Sequence, residues 1–169
     1  MSNVSAVILV PFTRKHVDLT FQWVRDAEFQ RLFLMRGEPT WEKHTAYFEN
    51  ALKDRTQRIY AILYEGRHVG NGGIKNISFG QKEAELWVYV GLSAIRRKGI
   101  GKHATGLLVS EAYESLQLLT IYVHVAAFNI AAFRMYASLG FSVVSRQDIP
   151  EEWHDRQTEI VRMRLRKSI

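Results

Sequence analysis

The sequence predicts one mixed α/β domain, a central sheet with helices on its faces. Strand-like runs and segments of helical period follow in the order β-α-α-β-β-β-α-β-α-β-β, from about Val7 to Leu165. Three strand-like runs in the middle are joined by short turns, which predicts an antiparallel meander. A chain of 169 residues, 47% hydrophobic and 24% charged, has the length and composition for one real core.

Each element has its own signal. Val7 to Val10 is an apolar, β-branched run that predicts the first strand, ended by Pro11. Thr13 is placed to cap a helix over about 15–26, with Val17, Phe21 and Val24 at helical spacing. A less regular patch follows, Phe29 to Arg36. Gly37 to Pro39 breaks the chain, and Thr40 caps a second helix with Trp41, Phe48, Ala51 and Leu52 on its apolar face. Arg58 to Tyr64, the pair Glu65-Gly66 and Arg67 to Ile77 read as a hairpin. Gly70, Gly72 and Gly73 in its second arm predict a bulge or close backbone packing. A turn near Phe79 to Lys82 leads into the strand Glu83 to Val90. Helical spacing then runs from Ile100 to Leu116. Leu118 to Val125 reads as a buried strand, and Phe128 to Leu139 as a short helix with Gly140 at its C-cap. Phe141 to Ser145 and Thr158 to Leu165 are the last strands, with an irregular link over Pro150 to Asp155.

Composition removes several classes of function. There is no cysteine, which excludes disulfides, thiolate metal sites and a cysteine nucleophile. No signal peptide is expected, and no apolar run approaches the length of a membrane span. A cytoplasmic protein without a membrane partner is the expectation. The net charge of +6 is concentrated in Arg96 to Lys102 and in Arg162 to Lys167. The second group alternates like one solvated strand face. Basic charge suits an anionic cofactor or substrate. Nucleic-acid binding would need aromatics among exposed basic residues on a sheet, and that pattern is not seen.

The informative stretch is Ile95-Arg96-Arg97-Lys98-Gly99-Ile100-Gly101-Lys102-His103-Ala104, where a strand gives way to a helix. Helix-start N–H groups and the helix dipole favour an anion, and glycine lets the backbone approach it closely. Three motifs compete. Gly99 to Ala104 matches G-x-G-x-x-A, but about eight residues separate the strand from the first glycine, and no acid ends the next strand, Ile121 to Val125. The P-loop pattern fails because Arg96 stands where its first glycine belongs and His103 where Ser or Thr belongs. The third pattern, R-x-x-G-x-G, is met by Arg96, Gly99 and Gly101. It resembles the acetyl-CoA loop of the GNAT N-acetyltransferases. Asn129 to Phe141 resembles that family's later motif, N-x-x-A-x-x-x-Y-x-x-x-G-F, at every position. The two motifs stand 28 residues apart, room for a helix and a strand. Arg97 departs from the pattern, since many members carry glycine there.

The resemblance implies a single GNAT-like domain whose sheet splays between its fourth and fifth strands. It implies acetyl-CoA as co-substrate, held by Arg96, Arg97, Lys98, Gly99, Ile100, Gly101 and Lys102, by Asn129, and by the strand backbone at Val88 and Val90. Tyr136 would give a proton to the departing thiolate. A carboxylate at the position of Glu85 acts through water in several relatives, and Glu85 ranks ahead of His124 as the base, imidazole being the side-chain type that changes charge near neutral pH. Asn129 also has the position and chemistry to cap its own helix. No metal is expected. In the first third, Trp23, Arg25, Trp41 and His44 lie in stretches that resemble the acceptor side of two branches, the amino-sugar-nucleotide acetyltransferases and the ribosomal-protein N-terminal acetyltransferases. The expected acceptor is a primary amine, first the amino group of an amino-sugar nucleotide, then a protein N-terminus or other small amine. The non-enzyme reading is a CoA-binding sensor. Members often use the last strands for dimer contacts, so a homodimer is possible on resemblance.

Overall fold

The computed structural model describes residues 6–149 and 158–168. Its strands are β1 (Val7–Pro11), β2 (Arg58–Tyr64), β3 (Arg67–Ser78), β4 (Glu83–Val90), β5 (Thr120–Ala126), β6 (Ser142–Ile149) and β7 (Thr158–Arg166). Its helices are α1 (Val17–Val24), α2 (Ala27–Leu32), α3 (Trp41–Ala51), α4 (Ile100–Ser110) and α5 (Ile130–Ser138). The described strands form one sheet in the order β1-β2-β3-β4-β5-β7-β6. All neighbours are antiparallel except β4 and β5, which are parallel. The expected link over Pro150 to Asp155 lies outside the described residues.

Three elements differ from their sequence reading. The helix over 15–26 is split. Arg14–His16 form a 3₁₀ turn in which His16 Nδ1 accepts the Thr13 N–H at 2.9 Å, and α1 ends at Val24. Asp26 then opens α2, accepting the Phe29 N–H at 2.8 Å. The irregular patch is therefore helical in its first part, and the signal was Asp26, a capping residue read as the end of the first helix. Thr40 caps α3 as expected, accepting the Lys43 N–H at 3.3 Å. The buried face of α3 is His44, Phe48 and Ala51, while Trp41 and Leu52 are exposed. Past Ser110, the last turn of the α4 segment widens into a π-turn, Glu111–Ser115.

Strand alternation sorts the core onto two faces. Ile62, Ile74, Leu86, Val88, Ile121 and Val123 lie in one cluster with Ile100, Ala104 and Leu108 of α4. Ile59 and Ala61 point the other way, against Phe12, Val17, Phe48 and Ala51. Trp23, Val24 and Phe29 extend that second layer over Tyr89. Helices thus cover both faces.

The sheet parts in the middle. β4 and β5 pair over three positions only, Glu83 with Thr120, Ala84 with Ile121 and Glu85 with Tyr122. Beyond Glu85, β4 stays with β3 as far as Val90, and β5 stays with β7 as far as Ala126. At the same level β3 carries a bulge, with Asn76 at φ +52 and Asn76-Ile77 opposed to Ala84 alone. A bulge bends its strand and raises the local twist.

Close packing holds the β3–β4 half together. A register shift in the β2–β3 pair sits beside Gly70, and a Cβ at Gly70 would overlap the Tyr89 carbonyl oxygen. That oxygen is backbone and has no rotamer through which to retreat. Gly70→Ala is expected to cost about 1–3 kcal/mol in chemical denaturation. Gly80→Ala, with open space around its Cβ, is expected to change stability by less than about 0.5 kcal/mol.

Candidate active site

Where β4 leaves β5, its backbone faces an opening. Gly91 N donates to Val69 O at 2.8 Å, so Gly91, Tyr89 and Trp87 turn their polar groups to β3. By strand alternation the N–H and C=O groups of Val88 and Val90 face the gap. The Val90 carbonyl is taken there by Arg96 Nε at 3.0 Å.

The turn after β4 delivers α4 to the mouth of that gap. Arg97 sits at φ +68 and Gly99 at φ +80. The left-handed region favours glycine, which gives a physical sense to the glycine many relatives carry at Arg97. Gly99 is the N-cap and has no side chain to cap with. The first bond inside α4 runs from His103 N to Gly99 O at 3.0 Å. The N–H groups of Ile100, Gly101 and Lys102 therefore have no partner within the helix. No acidic residue stands in that first turn. An anion such as a pyrophosphate fits this end on charge and on hydrogen-bonding capacity.

The side chains of the loop divide. Arg97, Lys98, Gly99 and Lys102 are exposed, whereas Ile100 is in the core and offers only its backbone. Arg96 is folded back, its Nη1 lying 3.3 Å from Glu28 Oε2 of α2 as well as its Nε on Val90. These contacts tie the turn to the acceptor-side helices, and Glu28, on the helix that was not anticipated, is a partner the sequence reading did not name.

A cavity of about 200 Å³ runs through the gap. Ala132, Met135 and Tyr136 of α5 line it from one side, and Leu32 and Phe33 from the other, with Val88, His124 and Asn129 between them. Asn129 Oδ1 accepts the Ala132 N–H at 3.2 Å, so it caps α5 and faces the cavity at once. Tyr136 is buried, and burial pushes its phenol well above the usual tyrosine value. It carries its proton at neutral pH. Gly140, at φ +95, ends α5 in the left-handed conformation expected of a C-terminal glycine.

Glu85 stands at the last paired position before the gap. Its Oε1 accepts from His124 Nδ1 at 2.8 Å and lies 3.3 Å from Lys75 Nζ, while its Oε2 accepts from Asn76 Nδ2 at 3.0 Å. Burial alone would raise its carboxyl. The hydrogen bond from His124, the Lys75 charge and Asn76 outweigh that and hold it at about 2. A carboxylate so weakly basic is a poor proton acceptor. His124, with Nδ1 donating to Glu85, presents Nε2 as its lone-pair nitrogen and lines the cavity. The two candidate bases are thus joined by one hydrogen bond. Lys75 and Asn76 were not singled out in the sequence. The signal was available for Lys75, because the meander pairs it with Glu85, opposite charges across adjacent strands.

A second cavity, about 420 Å³, opens between α2, α3 and the sheet. Phe33 lines both cavities. Of the four residues expected on the acceptor side, only His44 lines this space, and its Nε2–H donates to Val17 O at 3.1 Å. Trp23 is buried where a Cβ on Gly91 would strike its ring, and it packs on His68 at 4.9 Å. Arg25 is exposed over the Phe21 ring, and Trp41 stands edge-on to Phe21. These three pack or face solvent outside the cavity walls.

A family model for the acetyltransferase (GNAT) domain matches residues 6–142. The chain belongs to that family. It is an acetyl-CoA-dependent N-acetyltransferase. The chain is 27% identical over 168 residues to an N-acetyltransferase 9-like protein of Dictyostelium discoideum, covering 86% of this chain and 79% of that protein. It is 22% identical over 143 residues to spermidine N(1)-acetyltransferase of Escherichia coli K12, covering 85% and 76%. The structure of Vibrio cholerae spermidine N-acetyltransferase with CoA and spermine superposes with a TM-score of 0.88 at 16% identity, over 96% of each chain. The acceptors named among these relatives are polyamines, not amino-sugar nucleotides. No described helix of this GNAT domain is long and apolar enough to cross a membrane.

The Glu85 cluster has a pH signature. A carboxylate whose pKa is lowered in the fold adds stability above its unfolded value, and that stability disappears as pH falls through the folded value. Glu85→Gln is expected to lower stability at pH 7 by on the order of 1–3 kcal/mol. In denaturation series the gap to wild type closes between about pH 4.5 and pH 2.

Proposed function

We propose that this acetyltransferase acts on a primary amine, with His124 as the base, Glu85 as its orienting partner and Tyr136 as the acid. One observation carries the reading: one cavity in the β4–β5 gap is lined both by the His124 imidazole and by the buried Tyr136 phenol. Acetyl-CoA supplies the activated acyl group. The α4 N-terminus, with Gly99 to Lys102, is the fitting place for its pyrophosphate, and the exposed Arg97, Lys98 and Lys102 add positive charge around it. The open edge at Val88 and Val90 offers backbone partners for the amide-bearing arm and an N–H for the acyl oxygen. Asn129 holds the far wall.

The proton steps follow from the residues. His124 Nε2 accepts a proton as the amine nitrogen bonds to the acyl carbon. Glu85 holds the ring through Nδ1 and stabilises the imidazolium that forms, as a buried carboxylate does in other carboxylate–imidazole pairs. Tyr136 gives its phenol proton to the leaving sulfur.

The acceptor is a small amine on this reading. The polyamine names of the Escherichia coli and Vibrio cholerae relatives support that class. The amino-sugar-nucleotide reading loses its footing, since Trp23, Arg25 and Trp41 lie outside the cavity walls. Assembly of several copies is part of the proposal, supported by the dodecameric structure of the Vibrio cholerae relative. The edge strand β6, exposed from Ser142 to Asp148, is the surface for it.

His124→Ala and Tyr136→Phe are each expected to lower kcat by about 10²–10⁴. The thermal shift given by CoA should persist in both. Wild-type turnover in either variant would make that residue structural. Glu85→Gln should lower kcat less than His124→Ala, because the imidazole remains.

A further inference from the structure

We infer that Asn71 is a positioning residue for the acceptor amine, because it fixes the ring of Tyr89 in the wall of the cavity of about 420 Å³. This rests on the proposed reading of the site and goes further by naming a residue that acts on the acceptor without touching it.

Asn71 lies on β3, fully buried, and Tyr89 of β4 stands directly opposite it. Facing residues of paired strands project to the same side of the sheet. Thr20 of α1, also fully buried, meets Asn71 on that side. His68 is the fourth member of the group. Residues three apart on a regular strand point to opposite faces. The register shift between Ile62 and Leu63 leaves Val69 as an extra residue in β3, so His68 returns to the face of Asn71.

A buried amide is costly unless its polar atoms are met. Asn71 Nδ2 donates to Thr20 Oγ1 at 2.8 Å and to Tyr89 Oη at 2.7 Å, and its Oδ1 lies 2.7 Å from His68 Nε2. Thr20 gives its own hydroxyl proton to His16 O at 2.8 Å, so it accepts from Asn71. That orients the amide. Its nitrogen faces Thr20 and Tyr89, and its oxygen takes the His68 Nε2–H. An amide held from α1, from β4 and from the bulge of β3 cannot turn without breaking a buried hydrogen bond.

Tyr89 carries that fixity to the cavity. Of the four side chains, it is the one on the cavity wall. Its ring meets Phe29 edge-on at 4.8 Å, stacks with Trp87 at 5.7 Å and lies 5.6 Å from Phe33. Phe33 lines both this cavity and the one at His124. A Tyr89 ring released from its hydroxyl anchor shifts these neighbours, and with them the path between the two cavities. A leucine at position 71 would fill the same space and hold no hydroxyl.

The test is steady-state kinetics on the full chain with acetyl-CoA and three probe amines: spermidine, 2-phenylethylamine and a short peptide with a free N-terminus. Constants are taken for the amine turned over best. The variants are Asn71→Leu, Tyr89→Phe, which keeps the ring, and the double. Each single variant should raise the acceptor KM about tenfold, with the KM for acetyl-CoA within about twofold of wild type. The double should be no worse than the worse single, because both changes break the same bond. An unchanged acceptor KM in Tyr89→Phe overturns the inference, as do additive effects in the double or an equal rise in both KM values. A residue that only held the fold would lower the thermal midpoint and leave the acceptor KM alone. Where Asn71→Leu does not fold, Asn71→Ser completes the cycle, and Tyr89→Phe still decides whether the anchored hydroxyl matters. Those results leave the proposed site standing. No CoA-dependent thermal shift, or no acetylation of any probe, overturns the site reading and the inference with it.

Discussion

A strand that loses its neighbour must satisfy its backbone in some other way, and in this protein β4 does so beyond Glu85. Three residues of parallel pairing hold the two halves of the sheet together. After that each half keeps its own partners, β3 for β4 and β7 for β5. Polar backbone groups inside a protein carry a penalty of a few kcal/mol when unpaired, so an open edge in the middle of a sheet persists only where something polar meets it. Arg96 takes one carbonyl. An extended, amide-bearing cofactor arm is the natural partner for the others.

The residue at the fork is charged. A half-buried carboxylate is costly unless it is paired, and Glu85 is paired three times. One partner comes from β5, across the fork, and two come from β3, where the bulge turns Asn76 toward it. The same contacts that make Glu85 tolerable make it a weak base and fix the ring of His124.

The two faces of the sheet then divide the work. α4 and α5 cover one face and bring a helix N-terminus and Tyr136 to the gap. α1, α2 and α3 cover the other and enclose the aromatic cavity. Only an opening through the sheet lets groups from both layers reach one reacting centre. Phe33, on the walls of both cavities, is the point where the layers meet.

The sequence alone determined the alternation of elements, the meander, the caps at Thr40 and Asn129, the glycine stop at Gly140 and the family motif. All of these are local, because they depend on residues within a turn or a strand length of each other. It also held, unread, the break at Asp26 and the Lys75–Glu85 pairing. Tertiary structure alone decided the rest. Trp23 and Trp41 look equally fit for a binding wall in one dimension, but packing buries the first on Gly91 and leaves the second on the surface. Glu85 and His124 are 39 positions apart, and a 2.8 Å contact across two strands joins them. No local pattern encodes such a contact, since basicity depends on the charges that the fold brings to a group from distant parts of the chain.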